Sequence, residues 1–186
     1  MIMKTKFIEE EIKYIGSQLT PHWIYKNFKL QGDAIVAFVG ECDVKLSEMV
    51  DVEDVINNEP IYSKQMLSFI SEQFNINLIE GVLRQRLLIT VIKELLEDRG
   101  VCVKRFGDDL MYGDKKLTVS IATKSLSSIL IHTGINIISE GAPVKASGLI
   151  SEFNIADIKD FAIEVMKRYS EEIEDIILAS TKVRGV

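Results

Sequence analysis

The sequence predicts an α+β domain with a mostly antiparallel sheet and helices packed on one face. Runs of β-branched and apolar residues, such as DAIVAFVGE and SSILIHTGINII, have the composition of strands. Two stretches, LIEGVLRQRLLITVIKELLEDRG and NIADIKDFAIEVMKRYSEEIEDIILASTKV, have the apolar spacing of amphipathic helices. Strands in runs with helices at the ends favour this fold class.

The N-terminal part is predicted to alternate short elements with turns. KFIEEEIKYIG is typical of a strand or a short helix, and we favour the strand. Pro21 suits the start of a helix, so a short helix is predicted there, with His22, Trp23, Tyr25 and Phe28 on it. DAIVAFVGE is predicted to be a strand that Gly40 closes, and VKLSEMVDVEDVINNEP an acidic loop with a short helix. SKQMLSFISEQF is predicted to be helical, because four apolar residues have helical spacing: Met66, Leu67, Ile70 and Phe74.

The second half begins with the strongest predicted helix, LIEGVLRQRLLITVIKELLEDRG, which Gly100 ends. Its predicted apolar stripe consists of Leu83, Leu87, Ile92, Leu95 and Leu96. VCVKRF, DLMY and KLTVSIAT are predicted to be three strands, with a tight hairpin at Gly113-Asp114 between the last two. SSILIHTGINII is predicted to be a further strand, and one or two amphipathic helices follow it.

Composition limits the classes of protein to which the chain can belong. A length of 186 residues with 47% hydrophobic and 27% charged residues predicts one soluble globular domain, 1–186. The net charge of −6 argues against a general nucleic-acid or lipid-surface binder. Two cysteines, two histidines and no CxxC pair predict neither a disulfide framework nor a metal site. With no signal peptide and no apolar run of ~20 residues, we expect a cytoplasmic protein without a membrane partner.

Four short segments follow one another in a recognisable order, whereas the motifs GxxxxGK[ST], GxGxxG, HExxH and GxSxG are absent. The first segment, RLLITVIKELLEDRG, matches a helix. The second, RFGDD, matches K-W-P-N-D, the third, KKLTVS, matches K-L-A-G, and the fourth, HTGINI, matches G-x-G-I-N. The gap between the aspartate and the lysine is also the same. In this order, 83–137 resembles the catalytic core of biotin protein ligases and their lipoate-ligase relatives, which have a class II synthetase type of fold. With GSQL, HW and VGEC, the chain also resembles a small archaeal family of that class, whose members are uncharacterised.

The resemblance implies a site for a small carboxylic acid, with ATP and Mg²⁺ as cofactors. It implies that Lys116 is the catalytic lysine, which contacts the acid and the acyl-adenylate phosphate. It also implies that Asp109 is the aspartate that holds the nucleotide or Mg²⁺. Further binding residues are expected around them. These are Lys104, Arg105 and Asp108 beside the aspartate, Gly134 and Asn136 on the pocket floor, Glu41 and Cys42 at the end of an earlier strand, and His22 and Trp23 as a stacking surface.

The chain departs from the family pattern at the nucleotide loop. CDVKLSEMVDVED stands where G-R-G-R-x-G is expected, and an acidic loop lacks the arginines that bind phosphate. Asp108 replaces an asparagine, Val119 replaces a glycine, and no cysteine follows Lys116 to act as an acyl carrier. Two functions therefore stay open. One is ATP-dependent activation of a small acid and its transfer to an amine, and the other is a non-catalytic small-molecule-binding or assembly protein.

Each candidate residue also has a purely structural interpretation. Lys116 can be a solvated hairpin lysine, and Asp108-Asp109 can be turn residues after Gly107. His132 is interpreted as a hydrogen-bonded core histidine, and Cys42 as an inert buried thiol. The site hypothesis predicts instead that Lys116 and Asp109 meet in one concave pocket. We also expect a homo-oligomer, since apolar strands need paired or covered edges.

Overall fold

A computed structural model describes residues 3–185 of the chain. It contains eight strands and four α-helices in these residues, with a short 3₁₀ helix at Leu46–Glu48. In chain order they are β1 Lys4–Phe7, α1 Trp23–Phe28, β2 Ala34–Val44, α2 Val52–Asn57, β3 Ile61–Gln73, α3 Leu78–Asp98, β4 Lys104–Phe106, β5 Asp109–Tyr112, β6 Lys115–Lys116, β7 Thr118–Lys124, β8 Ile129–Asn136 and α4 Ile158–Thr181. None of these helices is long and apolar enough to cross a membrane.

Five strands form the main sheet, in the order β1-β2-β3-β8-β7. Only β1 and β2 are parallel, and the other three pairs are antiparallel. The strands β4, β5 and β6 form a separate antiparallel sheet. The predicted α+β class with a mostly antiparallel sheet is therefore confirmed.

The main sheet separates two hydrophobic clusters. The larger one lies between the sheet and the two long helices, where α3 contributes Leu88 and Ile92 and α4 contributes Phe161 and Tyr169, all of them fully buried. The smaller cluster lies on the other face, which the N-terminal segment and the short helix α1 cover. The two long helices thus share one face, as predicted, and the second face is left to the shorter elements.

The segment predicted as a helix from Met66, Leu67, Ile70 and Phe74 is the central strand β3, and this prediction is wrong. β3 is hydrogen-bonded to β2 on one side and to β8 on the other. All of its residues from Met66 to Gln73 are buried, because both faces of the sheet are covered. A strand buried on both faces has no apolar–polar alternation, so its apolar residues matched a helical spacing by chance.

Several boundaries also differ from the predictions. β2 continues past Gly40 to Val44 through an irregularity between Gly40 and Cys42. A Cβ at Gly40 would lie 2.1 Å from the carbonyl oxygen of Ile12, so this glycine serves the close approach of the N-terminal segment and not a strand end. Leu83 is 64% exposed and lies outside the buried stripe of α3. His22 is the N-cap of α1 and does not lie within the helix.

Other local predictions are confirmed. A single long helix, α4, forms the C-terminal part. The strand predicted over KFIEEEIKYIG, by contrast, is wrong for most of its length, because β1 spans Lys4–Phe7 and includes only the first two residues of that segment. Gly100 lies just beyond α3 with a positive φ of 78°, which glycine adopts without strain. Gly113 has a φ of 61° in the predicted hairpin, where Tyr112 pairs with Lys115. This hairpin positions the candidate site residues.

Candidate functional site

A pocket of about 520 Å³ lies on the sheet face opposite α3 and α4. Its walls come from the ends of β2 and β3, from β7 and β8, and from two loops, 45–60 and 142–146. The apolar lining includes Leu19, Val44, Met66 and Ile121. The size is typical of a small-molecule site, and the wall combines apolar residues with a comparable number of polar and charged ones.

The hairpin of β5 and β6 brings Asp109 and Lys116 together in this pocket. Met111 pairs with Lys116 across the hairpin, which sets the lysine beside the start of β5. The Nζ atom of Lys116 lies 3.0 Å from Oδ1 of Asp109, and each side chain is 36% exposed. Both residues line the pocket. A half-buried ion pair at a pocket wall offers a ligand one donor group and one acceptor group.

The backbone of Lys116 is held on its second side by the loop 145–147. The amide of Lys116 donates to the carbonyl of Lys145, and the amide of Ser147 donates to the carbonyl of Lys116. Asn136 lines the pocket next to this bridge, with its side-chain nitrogen 3.4 Å from the carbonyl of Lys116. These bonds fix the lysine backbone, so the ion pair has a defined place in the wall.

Asp108 also lines the pocket, but it is held from the opposite direction. Gln85 on α3 donates from Nε2 to Oδ2 of Asp108 at 3.0 Å and to Oγ of Ser120 at 3.1 Å. Gln85 is only 4% exposed, so its amide is a buried link between α3 and the pocket wall. The two neighbouring aspartates therefore separate, with Asp109 joined to the lysine and Asp108 joined to the helix.

Several pocket residues were missed by the sequence-based site prediction, among them His132 and Tyr14. Their rings stack at 3.8 Å between centroids, with an angle of 15° between the planes. His132 is 3% exposed, and burial lowers its pKa to about 3, so the imidazole is neutral. The available signal was the departure from G-x-G-I-N, since His132 occupies the position of the first glycine in HTGIN.

The loop 45–60, which we call the acidic segment, forms the mouth of the pocket. It contributes Glu48, Asp51, Glu53, Asp54 and Glu59 to the lining, and within residues 3–185 none of these five has a basic partner within 4.0 Å. Burial, followed by the neighbouring Asp51 carboxylate, raises the pKa of Asp54, whereas Lys116 lowers it. The carboxylate of Asp54 is therefore close enough to interact electrostatically with both Lys116 and the neighbouring carboxylates.

ATP and Mg²⁺, which the resemblance implies, do not fit these residues. Among the described lining residues Lys116 is the only lysine or arginine, so a single ammonium would have to offset the several negative charges of a triphosphate. A triphosphate would face the unpaired carboxylates of the acidic segment, where like charges repel. Within residues 3–185, no group of three or more His, Cys, Asp or Glu is arranged to hold a metal ion.

The remaining predicted site residues do not line the pocket. They are Gly134, Glu41, Cys42, His22, Trp23, Lys104 and Arg105. Gly134 lies behind the wall, where a Cβ would come within 2.2 Å of the Met66 sulfur, so it makes room for a residue that does line the pocket. Glu41 is 3.4 Å from Nζ of Lys13 at the surface.

Cys42 lies next to the pocket but is fully buried in the smaller hydrophobic cluster. Burial, with smaller contributions from the carboxylates of Asp43 and Glu41, raises the pKa of its thiol to about 12. A thiol with so high a pKa is protonated at neutral pH and is a poor nucleophile. The structure thus supports the inert interpretation of Cys42.

The other two predicted pairs have structural roles. The amide of His22 donates to the buried carboxylate of Glu72 at 2.9 and 3.0 Å, and this contact holds the start of α1. Trp23 packs edge-to-face on Phe28, with 5.2 Å between the ring centroids. Lys104 and Arg105 are exposed on β4, and Arg105 donates to the carbonyl of Gly107. They lie on β4, the outer strand of the small sheet, whose residues are all exposed, whereas Asp109 and Lys116 lie on β5 and β6 of the same sheet and reach the pocket.

The fold defines the class of protein. A putative lipoate protein ligase from Thermoplasma acidophilum with bound lipoic acid superposes with a TM-score of 0.62 at 12% identity, over 94% of this chain and 87% of that one. A mutant biotin protein ligase from Aquifex aeolicus in complex with biotin has a TM-score of 0.62 at 16% identity, over 94% of this chain and 71% of that one. At such identities the likeness establishes the fold alone, and the chain has the biotin/lipoate ligase fold.

Within that class, residues 3–184 match the model of a family described as a domain of unknown function, DUF366, and the chain belongs to this family. An uncharacterised protein from Methanocaldococcus jannaschii is 38% identical, over 94% of this chain and 81% of its own length. A protein of unknown function from Pyrococcus horikoshi is 40% identical with a TM-score of 0.92, over 99% of both chains. The expected membership of a small family of uncharacterised archaeal proteins with this fold is confirmed.

Proposed function

We propose that this protein binds a small organic acid in the pocket and does so without a nucleotide. The observation on which the proposal rests is the ion pair of Lys116 and Asp109, 3.0 Å apart, in the wall of a pocket of about 520 Å³. The ammonium of Lys116 has three donors, so it can bind a ligand carboxylate while it keeps Asp109. The apolar lining would contact the body of the ligand.

The ligands of two proteins with the same fold are consistent with this class of molecule. One neighbour is described with bound lipoic acid and another with biotin. Each ligand is a carboxylic acid with an apolar body. The pocket of this chain differs from the ligase pattern in one respect, because His132 lines it at a position where the pattern has glycine.

A second candidate function is ATP-dependent activation of the acid, followed by transfer to an amine. The contact between Asp109 and Lys116 favours it, because an ammonium near two anionic reactants offsets their charge. The acidic segment opposes it, because unpaired carboxylates at the pocket mouth repel phosphate. We rank binding without a nucleotide first for this reason.

Isothermal titration calorimetry tests the proposal with lipoate, biotin and octanoate, and separately with ATP and Mg²⁺. We expect one of the acids to bind and ATP to give no binding heat. Lys116→Ala should weaken binding of that acid by about 10-fold or more, because a charge-assisted hydrogen bond is lost. Lys115→Ala is the matched control, since Lys115 lies in the same hairpin but bonds Glu152 outside the pocket.

Three results would contradict the proposal. One is the absence of binding for all three carboxylic acids. A second is saturable ATP binding with release of pyrophosphate when an acid is present, which would establish the second candidate instead. Equal loss of affinity in the Lys115 and Lys116 variants would show that the pocket is not the binding site.

A further inference from the structure

A group of large exposed apolar side chains lies at one end of the domain, away from the pocket. It comes from the start of α3, the turn between β7 and β8, and the last turns of α4. The members, each at least 42% exposed, are Leu78, Ile79, Leu83, Leu126, Ile176, Ile177 and Leu178. We call this surface the apolar end. Apolar surface grouped in this way marks an interaction site.

Contacts around the end of β3 bring the three segments together. Gln73, the last residue of β3, pairs with Ile129 at the start of β8 and bonds Arg84 of α3 and Tyr169 of α4. A Cβ at Gly81 of α3 would lie 2.5 Å from the side chain of Ile129. The exposed apolar residues are near these contacts in the chain, so they share one end of the fold.

The end of α4 extends beyond the hydrophobic core. Its last buried residue is Ile173, but the helix continues to Thr181, about 12 Å further at a rise of 1.5 Å per residue. Ile176 and Ile177 follow Ile173 at helical spacing and continue its inward-facing stripe, yet both remain nearly half exposed. Leu178 points to another side of the helix and is exposed as well. A helix end that is apolar on more than one side is expected to be covered.

The charges along this part of α4 change sign. The segment 171–175, EEIED, is acidic and precedes the apolar residues 176–178, whereas Lys182 and Arg184 follow them. In residues 3–185, Glu171 has a basic partner at 4.0 Å, Lys167, and the other charged groups of 171–184 have no ion-pair partner within that distance. An antiparallel copy of the same segment therefore places each basic end beside an acidic one, and a parallel copy would place like charges together.

A groove of about 410 Å³ between α3 and α4 lies beside the acidic part of this segment. Its walls include the carboxylates of Glu94, Glu172 and Asp175 and the apolar side chains of Leu87 and Val91. Arg168 also lines it, but its guanidinium bonds Asp98 and Glu164. The groove is thus suited to a short segment with basic and apolar side chains, which is the composition of Lys182, Val183 and Arg184.

We propose that the apolar end is an interface between two copies of this chain, with the two α4 helices antiparallel and crossing near Ile177. Lys182 and Arg184 of each copy then lie in the acidic groove of the other. A two-fold axis relates the copies, so every contact occurs twice. The inference is independent of the proposed function, since no residue of the apolar end lines the pocket.

The charges favour a second copy over a lipid surface. Anionic headgroups would face the acidic segment 171–175 directly beside the apolar residues, and the whole chain has a net charge of −6. A second copy covers the apolar residues and pairs both charged ends at once.

Sedimentation velocity throughout the micromolar range tests the inference. The wild-type protein should sediment as a dimer, with twice the chain mass of 21.0 kDa. Ile177→Asp with Leu178→Asp should raise the dissociation constant of the dimer at least about 10-fold, because a buried charge without a partner is costly. Ile163→Asp is the matched control, since Ile163 is as exposed as Ile177 but lies near the other end of α4.

A charge exchange separates pairing from a general loss of folding. Lys182→Glu with Arg184→Glu should weaken the dimer at least about 10-fold, and so should Glu172→Lys with Asp175→Lys. The variant that combines all four substitutions should recover most of the wild-type affinity, because the two signs are exchanged and not removed. Circular dichroism and urea unfolding establish that each variant is folded.

Three results would overturn the inference. One is a wild-type protein that stays monomeric throughout the micromolar range. Another is a dimer that the apolar and charge variants leave unchanged, which would place the contact elsewhere, for example at the edge of β7. The third is a combined charge variant that dimerises no better than either pair alone, because the basic and acidic ends would then not meet.

Discussion

At the scale of single residues, the two cysteines differ in their exposure to solvent and therefore in their expected reactivity. Cys42 is fully buried and burial raises its pKa to about 12, whereas Cys102 is exposed. We predict that a thiol reagent such as Ellman's reagent modifies one cysteine per native chain and two in urea. Cys102→Ser should abolish the native reaction. Rapid modification of both thiols in the native protein would show that Cys42 is accessible and would reopen a role for it.

His132 makes a second prediction at this scale, on the pH dependence of stability. Its folded pKa of about 3 lies below the ordinary value of 6.5, so below pH 6.5 the unfolded state binds a proton that the folded state does not. Stability is therefore full above about pH 7 and falls by about 1.4 kcal/mol for each unit of pH below 6.5, down to the folded pKa.

Urea unfolding at pH 7 and pH 5.5 measures this effect, with His132→Gln as the comparison. Between these values the wild-type protein should lose about 1 kcal/mol more stability than the variant does, since only the wild type has the buried imidazole. The carboxyl groups titrate alike in both proteins and cancel. An identical loss in the two proteins would mean that His132 is not kept neutral by burial.

At the scale of elements, the close approach of the N-terminal segment to β2 depends on one glycine. A Cβ at Gly40 would lie 2.1 Å from the carbonyl oxygen of Ile12, and a backbone atom cannot move aside as a flexible side chain can. The segment that follows β1 is bonded to β2 here, since the amide of Ile12 donates to the carbonyl of Val39. Gly40 therefore determines how closely the N-terminal segment approaches the sheet.

We predict that Gly40→Ala destabilises the protein by about 1 to 3 kcal/mol, the usual cost of an overpacked site. The unfolding midpoint in urea measures it, and Gly185→Ala serves as a control because no atom lies within 4 Å of its added methyl group. A change below about 0.5 kcal/mol would mean that the N-terminal segment can move away from β2 at no cost.

Gly134 differs from Gly40, because its neighbour is a side chain. A Cβ there would lie 2.2 Å from the sulfur of Met66, which is flexible and lines the pocket. Gly134→Ala should therefore push Met66 into the pocket and weaken ligand binding more than it lowers stability. Calorimetry together with urea unfolding separates the two effects. A large loss of stability with unchanged affinity would contradict this expectation.

At the scale of the whole molecule, the main question is self-association. β7 is an edge strand of the main sheet, and its residues from Val119 to Thr123 are only partly buried in the described chain. Exposed edges are usually paired or covered, and homo-oligomers with closed symmetry are common. We expect a dimer, with twice the chain mass of 21.0 kDa, in light scattering. A mass of 21.0 kDa throughout the micromolar range would contradict this.

The sequence by itself determined the elements whose signals are local. The long helices α3 and α4 follow from apolar residues that recur with helical spacing, and the hairpin at Gly113-Asp114 follows from its turn residues. The spacing of Asp109 and Lys116 around this turn was sufficient to predict that they meet, since cross-strand neighbours lie within reach of a lysine side chain.

Only the tertiary structure decided which residues surround that pair. β3 has no local signal that distinguishes it from a helix, because burial on both faces removes the alternation of apolar and polar residues. His132 and Tyr14 are far apart in the chain. They stack only because β2 and β8 lie on either side of β3 and the N-terminal segment, which contains Tyr14, runs alongside β2. The acidic segment lines the pocket for the same reason, since the fold brings it there. Its charges then act through space on groups that are distant from it in the chain.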